Sequence, residues 1–290
     1  MKSPERRIIY EAKPIDPKEE VFFGELEKTG EDEQDIKLAA DLLNGYMKKN
    51  GVHDRRDFSL EKIHLFPEGE FKRISEKKHP IGDYDPLTSN IRAVKNTDRL
   101  VTLFTILHEM VHGIGIRKWS FHPAKKGKDS LYRMGYATTD SQGSDDRTLH
   151  FHAFDEGVAE MIALATLLHG EDRVVESLNI PSENYEQNVR RNMAHEEAVS
   201  VVSSIIQGLA AQLREKETEI MRKTIQGKVN GNMLWMRDIE NVFGEGSLRV
   251  LDKLIADPEL SEEIALNKQI VKYFKTKDHE ERMQMQYEIY

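Results

Sequence analysis

The sequence predicts an α+β protein. Three observations carry that reading: strand signals are few and fall early, long helical periods fill the second half, and no internal repeat or low-complexity tract is present. Hydrophobic residues make up 38% of the 290 and charged residues 32%, which is enough apolar material for a core beneath a heavily charged surface.

Taken in order, Asp35 to Lys49 repeats apolar residues at Ile36, Leu38, Ala39, Leu42, Leu43 and Tyr46, a helical period. Ile63, Leu65, Phe71 and Ile74 flank Pro67-Glu68-Gly69-Glu70, a pattern that predicts a hairpin. A turn-rich stretch from Pro80 to Asn90 leads to a short strand at Ile91 to Val94. Thr97-Asp98 then reads as a cap for a helix whose apolar face is Leu100, Leu103, Phe104, Leu107, Val111 and Ile114, with Gly113 and Gly115 as stopping points.

From Trp119 to Thr148 the chain is mostly polar, and Asp140 to Asp146 is expected to be a mobile loop. A second strong helix is expected from Phe154-Asp155 to Leu168, ending at His169-Gly170. Beyond Pro181 all signals are helical. Asn192 to Gln226 is one long amphipathic candidate, and further helices are separated near Gly227 to Gly231, Gly244 to Gly246 and Pro258.

Composition excludes several classes of function. The net charge is -9 with acids and bases well mixed, so no basic stripe offers itself to nucleic acid. The absence of cysteine rules out disulfides, cysteine-ligated zinc and a thiol nucleophile. No apolar run is long enough to span a bilayer, so no membrane partner is expected, and the first residues lack a signal-peptide core. The expected location is cytoplasmic. Asp83, Asp85 and the acids from Asp140 to Asp146 are too irregular to define a calcium loop, and Met233 to Met236 reads as core.

The segment that carries chemistry is His108-Glu109-Met110-Val111-His112. Histidines four apart share one helix face, so both imidazoles can reach a single metal ion. Zinc takes imidazole nitrogen at roughly 2.0–2.1 Å, and a catalytic site keeps three protein ligands and one open position. Glu109 would stand beside that position as general base. A continuation of the type H-E-x-x-H-x-x-G-x-x-H fails, because Gly115 is present but Lys118 replaces the last histidine. The third ligand then falls to a carboxylate on a later helix, and Asp155-Glu156-Gly157-Val158-Ala159-Glu160 is the place for it.

Together these two segments resemble the gluzincin metallopeptidases, which include thermolysin, the zinc aminopeptidases and the compact minigluzincins. The resemblance spans about residues 82 to 170 and rests on the two helix motifs. It implies Glu156 as third zinc ligand and Glu160 as the carboxylate that orients a ligand histidine, although asparagine is usual at Asp155 and thermolysin-like enzymes carry aspartate at Glu160. It also implies an edge strand at Asn90 to Val94, with Asn90, Arg92 and Ala93 binding an extended peptide. An oxyanion donor would be Tyr185 or His195, Tyr185 being preferred. His150 and His152, just ahead of Glu156, are weaker candidates to line the site.

The fold expected from the resemblance is a zincin-like catalytic core over residues 61–170. An amino-terminal helical segment over 1–60 precedes it and a helical carboxy-terminal subdomain over 171–290 follows. The function expected is a zinc-dependent peptidase holding one Zn2+ and acting on a peptide or protein substrate. Endopeptidase action is preferred because no G-x-M-E-N segment, the amine-binding feature of the aminopeptidases, occurs between Ile63 and Val94. Two other readings stay open at this point: a zinc-binding protein that recognises peptides without turnover, and a metal-free helical interaction module. Substrate sequence and oligomeric state are not legible.

Overall fold

The computed structural model describes residues 8–10, 24–53, 58–74, 81–121, 130–139 and 149–290. The first part of the chain forms β1 (Ile8–Tyr10), α1 (Gly30–Lys49), β2 (Ile63–Phe66), α2 (Glu68–Ile74), β3 (Gly82–Tyr84), β4 (Ile91–Val94) and α3 (Arg99–Ile114). Four strands follow: β5 (Arg117–Phe121), β6 (Ser130–Met134), β7 (Ala137–Thr139) and β8 (Leu149–His150). The rest is helical: α4 (His152–His169), α5 (Glu171–Leu178), α6 (Tyr185–Arg191), α7 (Glu196–Leu213) and α8 (Glu217–Asn230). It ends with α9 (Met236–Phe243), α10 (Ser247–Asp252), α11 (Ser261–Lys275) and α12 (His279–Ile289). The chain is therefore of mixed α+β class, as its sequence predicts.

The elements group into two units, and α4 passes from one into the other. One unit comprises Pro14–Ile114 and Val158–Glu196. Its helix α1 opens with a reciprocal cap: the Asp32 amide donates to Thr29 Oγ1 at 3.3 Å, and the Thr29 amide donates to Asp32 Oδ2 at 2.8 Å. That cap starts the helix five residues before its apolar period becomes visible. Its buried face is Ile36, Leu38, Ala39, Leu42, Leu43 and Met47. One ion pair ties it to the residue after β4, Lys95 Nζ to Asp32 Oδ2 at 2.7 Å, and a second ties it to the start of α3, Arg99 to Asp35 through Nε at 3.0 Å and Nη2 at 2.7 Å.

The three-stranded sheet of this unit has the order β2-β4-β3, with β2 parallel and β3 antiparallel to β4. The hairpin expected at Ile63 to Ile74 does not form. The Pro67 carbonyl instead accepts the amides of Glu70 and Phe71 at 3.1 and 3.0 Å, and α2 begins there. Proline suits a helix start, where its missing amide has no partner to lose. Phe71 then folds back on Phe66 and Val94 as a small buried cluster, each large side chain contributing on the order of 1.5–3 kcal/mol.

Helix α3 starts as expected: Asp98 Oδ1 accepts the Leu100 amide at 2.9 Å, and the Asp98 carbonyl accepts those of Val101 and Thr102. Nearly every side chain along it is buried, the mark of an interior helix rather than a surface one.

The other unit comprises Met1–Lys13, Gly115–Gly157 and Glu197–Tyr290. Here the expectation that strands are confined to the first third fails. Part of the polar stretch from Trp119 to Thr148 enters a five-stranded antiparallel sheet of order β1-β5-β6-β7-β8. Ladder hydrogen bonds hold such strands without a continuous apolar face, so hydropathy conceals them. The loop expected at Asp140 to Asp146 lies outside the described residues.

The single helix expected over Asn192 to Gln226 is two, α7 and α8, broken at Arg214 in the left-handed region (φ 56°). The Glu215 amide closes back on the Ala210 carbonyl at 3.0 Å, a helix end made with a residue other than glycine. Of the breaks expected near Gly227 to Gly231, Gly244 to Gly246 and Pro258, the first falls at Gly231, with α8 running through Gly227, and the other two are observed. Helices α4 and α7 approach until a Cβ on Gly157 would stand 2.7 Å from the Ala198 carbonyl carbon. Among the described residues no helix is long and apolar enough to cross a membrane.

Candidate metal centre

The i, i+4 spacing of His108 and His112 on α3 has the consequence expected of it. Their Nε2 atoms lie 3.1 Å apart, with ring centroids at 4.9 Å, and both side chains are buried. Two ligands of a tetrahedral zinc with ~2.0–2.1 Å bonds stand about 3.3 Å apart, so the imidazoles already have the spacing of a shared ion. Glu156 completes a buried trio: one ligand atom from each of His108, His112 and Glu156 lies within 4.8 Å of the others. The set can hold a metal ion, and two imidazoles with one carboxylate suit zinc.

One turn after Glu156 on α4, Glu160 is almost wholly enclosed. Its Oε1 accepts the backbone amides of Ala194 and His195, and its Oε2 stands 3.4 Å from His108 Nδ1. A carboxylate at Nδ1 draws the imidazole hydrogen to that side and turns the Nε2 lone pair toward His112. Burial alone would raise the Glu160 carboxyl. The His108 hydrogen bond, the charges of His108 and His195 and the His195 amide outweigh it, holding the group below the ordinary glutamate range. The His195 ring lies tilted beside that of His108, at 5.7 Å between centroids. His108, Glu160 and His195 also bring ligand atoms within 4.8 Å of one another.

Glu109 is buried on α3 beneath β3. A Cβ on Gly82 would fall 2.8 Å from Glu109 Oε1 and 2.7 Å from Thr105 Cγ2, so only glycine lets the strand lie this close. Gly113 is close-packed from the helix side, where a Cβ would meet Phe58 at 3.3 Å and Tyr84 at 3.4 Å, a tight contact to which the two rings would have to yield by a few tenths of an ångström. β3 is thus laid on α3 at Gly82, with Gly113 packed close beside Tyr84.

The remaining candidates fall in different places. Asn90, Arg92 and Ala93 are not on an edge, because β4 is the central strand with β2 on one side and β3 on the other. Asn90 is buried in the turn that precedes β4, where its carbonyl accepts the Asp85 amide at 2.9 Å. Arg92 Nε donates to Asp83 Oδ1 at 2.7 Å, and Ala93 is buried. Among the described residues the two edges of this sheet are β2 and β3, and β3 is the one laid against Glu109.

Tyr185 is likewise elsewhere. Its buried hydroxyl donates to the Leu167 carbonyl at 3.3 Å, seven residues beyond Glu160 or about 10 Å along α4. Burial and the Glu171 charge push its phenol pKa up. Of the two oxyanion candidates only His195 is brought to the His108 cluster.

Sequence reasoning gave little weight to His152, whose Nδ1 lies 3.5 Å from Glu156 Oε1 one turn later on α4. Its i, i+4 spacing from a carboxylate was the available signal. Gly82 was missed, since a close approach of strand to helix leaves no local trace. His150 turns the other way: its Nδ1 is 2.7 Å from Asp252 Oδ2, and Asp252 Oδ1 accepts the Phe151 amide at 2.7 Å.

Comparison with family models, with curated proteins and with solved structures finds no match to this chain.

Proposed function

We propose that the protein is a zinc-dependent peptidase of gluzincin type with a zincin-like core, acting as an endopeptidase. The observation that carries this is the convergence of two facing imidazole nitrogens with the Glu156 carboxylate, while Glu109 lies on the same helix against an outer strand.

Zinc bound by His108, His112 and Glu156 would supply a Lewis acid that polarises a scissile carbonyl and lowers the pKa of water to about 7. Glu109 takes the proton of the attacking water and returns it to the leaving amine. Its burial keeps competing solvent away from the proton it carries. His195, with its backbone fixed on Glu160, is the donor assigned to the carbonyl oxygen as negative charge develops there.

The peptide would lie along β3 rather than β4. In the β3–β4 ladder the Val94 amide meets the Ile81 carbonyl and the Asp85 amide meets the Asn90 carbonyl. The register alternates, so the backbone groups of Gly82 and Tyr84 point away from β4. An extended substrate that pairs with them would run beside the strand that lies against Glu109.

Metal analysis of protein purified without chelators, followed by mass-spectrometric profiling of a peptide library, tests this reading. Glu109→Gln should retain stoichiometric zinc and lose cleavage by roughly 10²–10⁴-fold. Undiminished cleavage would overturn the assignment of the base, and absence of metal from the wild type would overturn the whole proposal.

A further inference from the structure

Immediately before Glu156, Asp155 makes the most deeply enclosed ion pair among the described residues. Lys228 Nζ lies 2.7 Å from Asp155 Oδ1, with side-chain exposures of 0% and 1%. The same oxygen accepts the Tyr136 amide at 2.7 Å. Gly135, at φ 56°, makes room for this, since a Cβ there would come within 2.3 Å of Asp155 Oδ1 and 3.1 Å of Lys228 Nζ.

The surroundings are tied together by further directed bonds. The Tyr136 hydroxyl donates to the Thr224 carbonyl at 2.7 Å and accepts from Trp235 Nε1 at 2.8 Å. The Ile116 amide donates to the Lys228 carbonyl and the Gly135 amide to the Ile116 carbonyl, each at 2.9 Å. Helix α8, the turn between β6 and β7, and the first turn of α4 are thus locked through one carboxylate oxygen.

Stability alone does not account for such a pair. Two buried charges lose their hydration, and apolar side chains of similar volume usually serve a core as well or better. A carboxylate gripped by two donors adds direction. It fixes how the first turn of α4 is rotated about its axis, and the next residue on that turn is Glu156. A rotation of about 20° would carry a side-chain tip at a ~5–6 Å radius by about 2 Å. Metal bonds tolerate ~0.2 Å.

We infer that Lys228, acting through Asp155, is a positioning residue for Glu156, setting the rotation of α4 at which the carboxylate faces the two histidines. This rests on the reading of Glu156 as a metal ligand. It accounts for a buried lysine that the proposed chemistry does not otherwise use.

The test is cobalt(II) titration of chelator-stripped, full-length protein, read by affinity and by the d–d absorption band, beside thermal melting of the metal-free form. The paired replacement Asp155→Leu with Lys228→Met removes both charges and should leave the apo melting temperature near wild type. It should weaken cobalt binding by roughly 10–100-fold and alter the band. Asp155→Asn, which keeps an acceptor for both donors, should retain affinity within about threefold, a far smaller loss than the 10–100-fold typical of a missing outer partner.

If the paired variant does not fold, Gly135→Ala gives the same readout with both charged residues present, because its Cβ displaces the carboxylate. Wild-type affinity and an unchanged band in the folded variant would overturn the positioning role and leave the metal site standing. A wild type that binds no cobalt, or a Glu156→Ala variant that binds it undiminished, would overturn the ligand reading and the positioning role with it.

Discussion

Glu160 Oε2 stands 3.4 Å from His108 Nδ1, while the other oxygen of the same carboxylate accepts the backbone of Ala194 and His195. One side chain therefore stands against the His108 imidazole and anchors the segment that brings in His195. Glu160→Gln should lower zinc affinity roughly 10–100-fold. Competition against a chromogenic chelator measures it, and an unaltered constant would remove Glu160 from the centre.

If the protein is the peptidase proposed, Gly82 predicts an effect on turnover at constant metal content. Gly82→Ala places a carbon against Glu109 Oε1 and Thr105 Cγ2. Overpacking of that kind costs about 1–3 kcal/mol of stability, and displacing the base should lower kcat/KM on the order of 10²-fold. Cleavage by a metal-replete Gly82→Ala variant at the wild-type rate would show that Glu109 does not depend on the seating of β3.

Removing Lys228 alone should be far more damaging to the fold than removing it with its partner. Lys228→Met leaves the Asp155 charge enclosed without its cation and should cost about 3–5 kcal/mol in urea unfolding, most of it recovered by adding Asp155→Leu. Equal losses in the single and double variants would mean that packing, not charge, dominates the site.

Acid sensitivity is expected at α1. Burial tends to raise the Asp32 carboxyl, but the Lys95 hydrogen bond and both Thr29 bonds overcome it, and the net shift is downward. A carboxyl lowered on folding stabilises above its unfolded pKa of about 3.9, and that contribution is lost as pH falls through the folded value. Asp32→Asn should therefore cost roughly 1 kcal/mol at neutral pH. The gap between the two urea midpoints should close below about pH 4. A gap independent of pH would exclude the charge as its source.

What could be read from the sequence was whatever lies within one helix. His108 and His112, or Glu156 and Glu160, are related by helical geometry alone, so spacing places them on common faces before any tertiary contact is known. The cap at Asp98 is equally local. What escaped depends on residues far apart in the chain. β1 meets β5 through the pairing of Ile8 with Phe121, and Asp155 meets Lys228 across 73 residues. Neither leaves a periodic mark. The placing of β4 between β2 and β3, and not at an edge, is of this kind too, because strand order follows from pairing and not from the composition of any one strand.

The contact at Gly157 bears on how such a protein can change over time. Every amino acid other than glycine carries a Cβ, and one here would stand 2.7 Å from the Ala198 carbonyl carbon. No single substitution at 157 is therefore mild, and the residue next to Glu156 has no neighbouring sequence to drift into. Inherited variation along α4 must bypass that step, or arrive only after α7 has moved away.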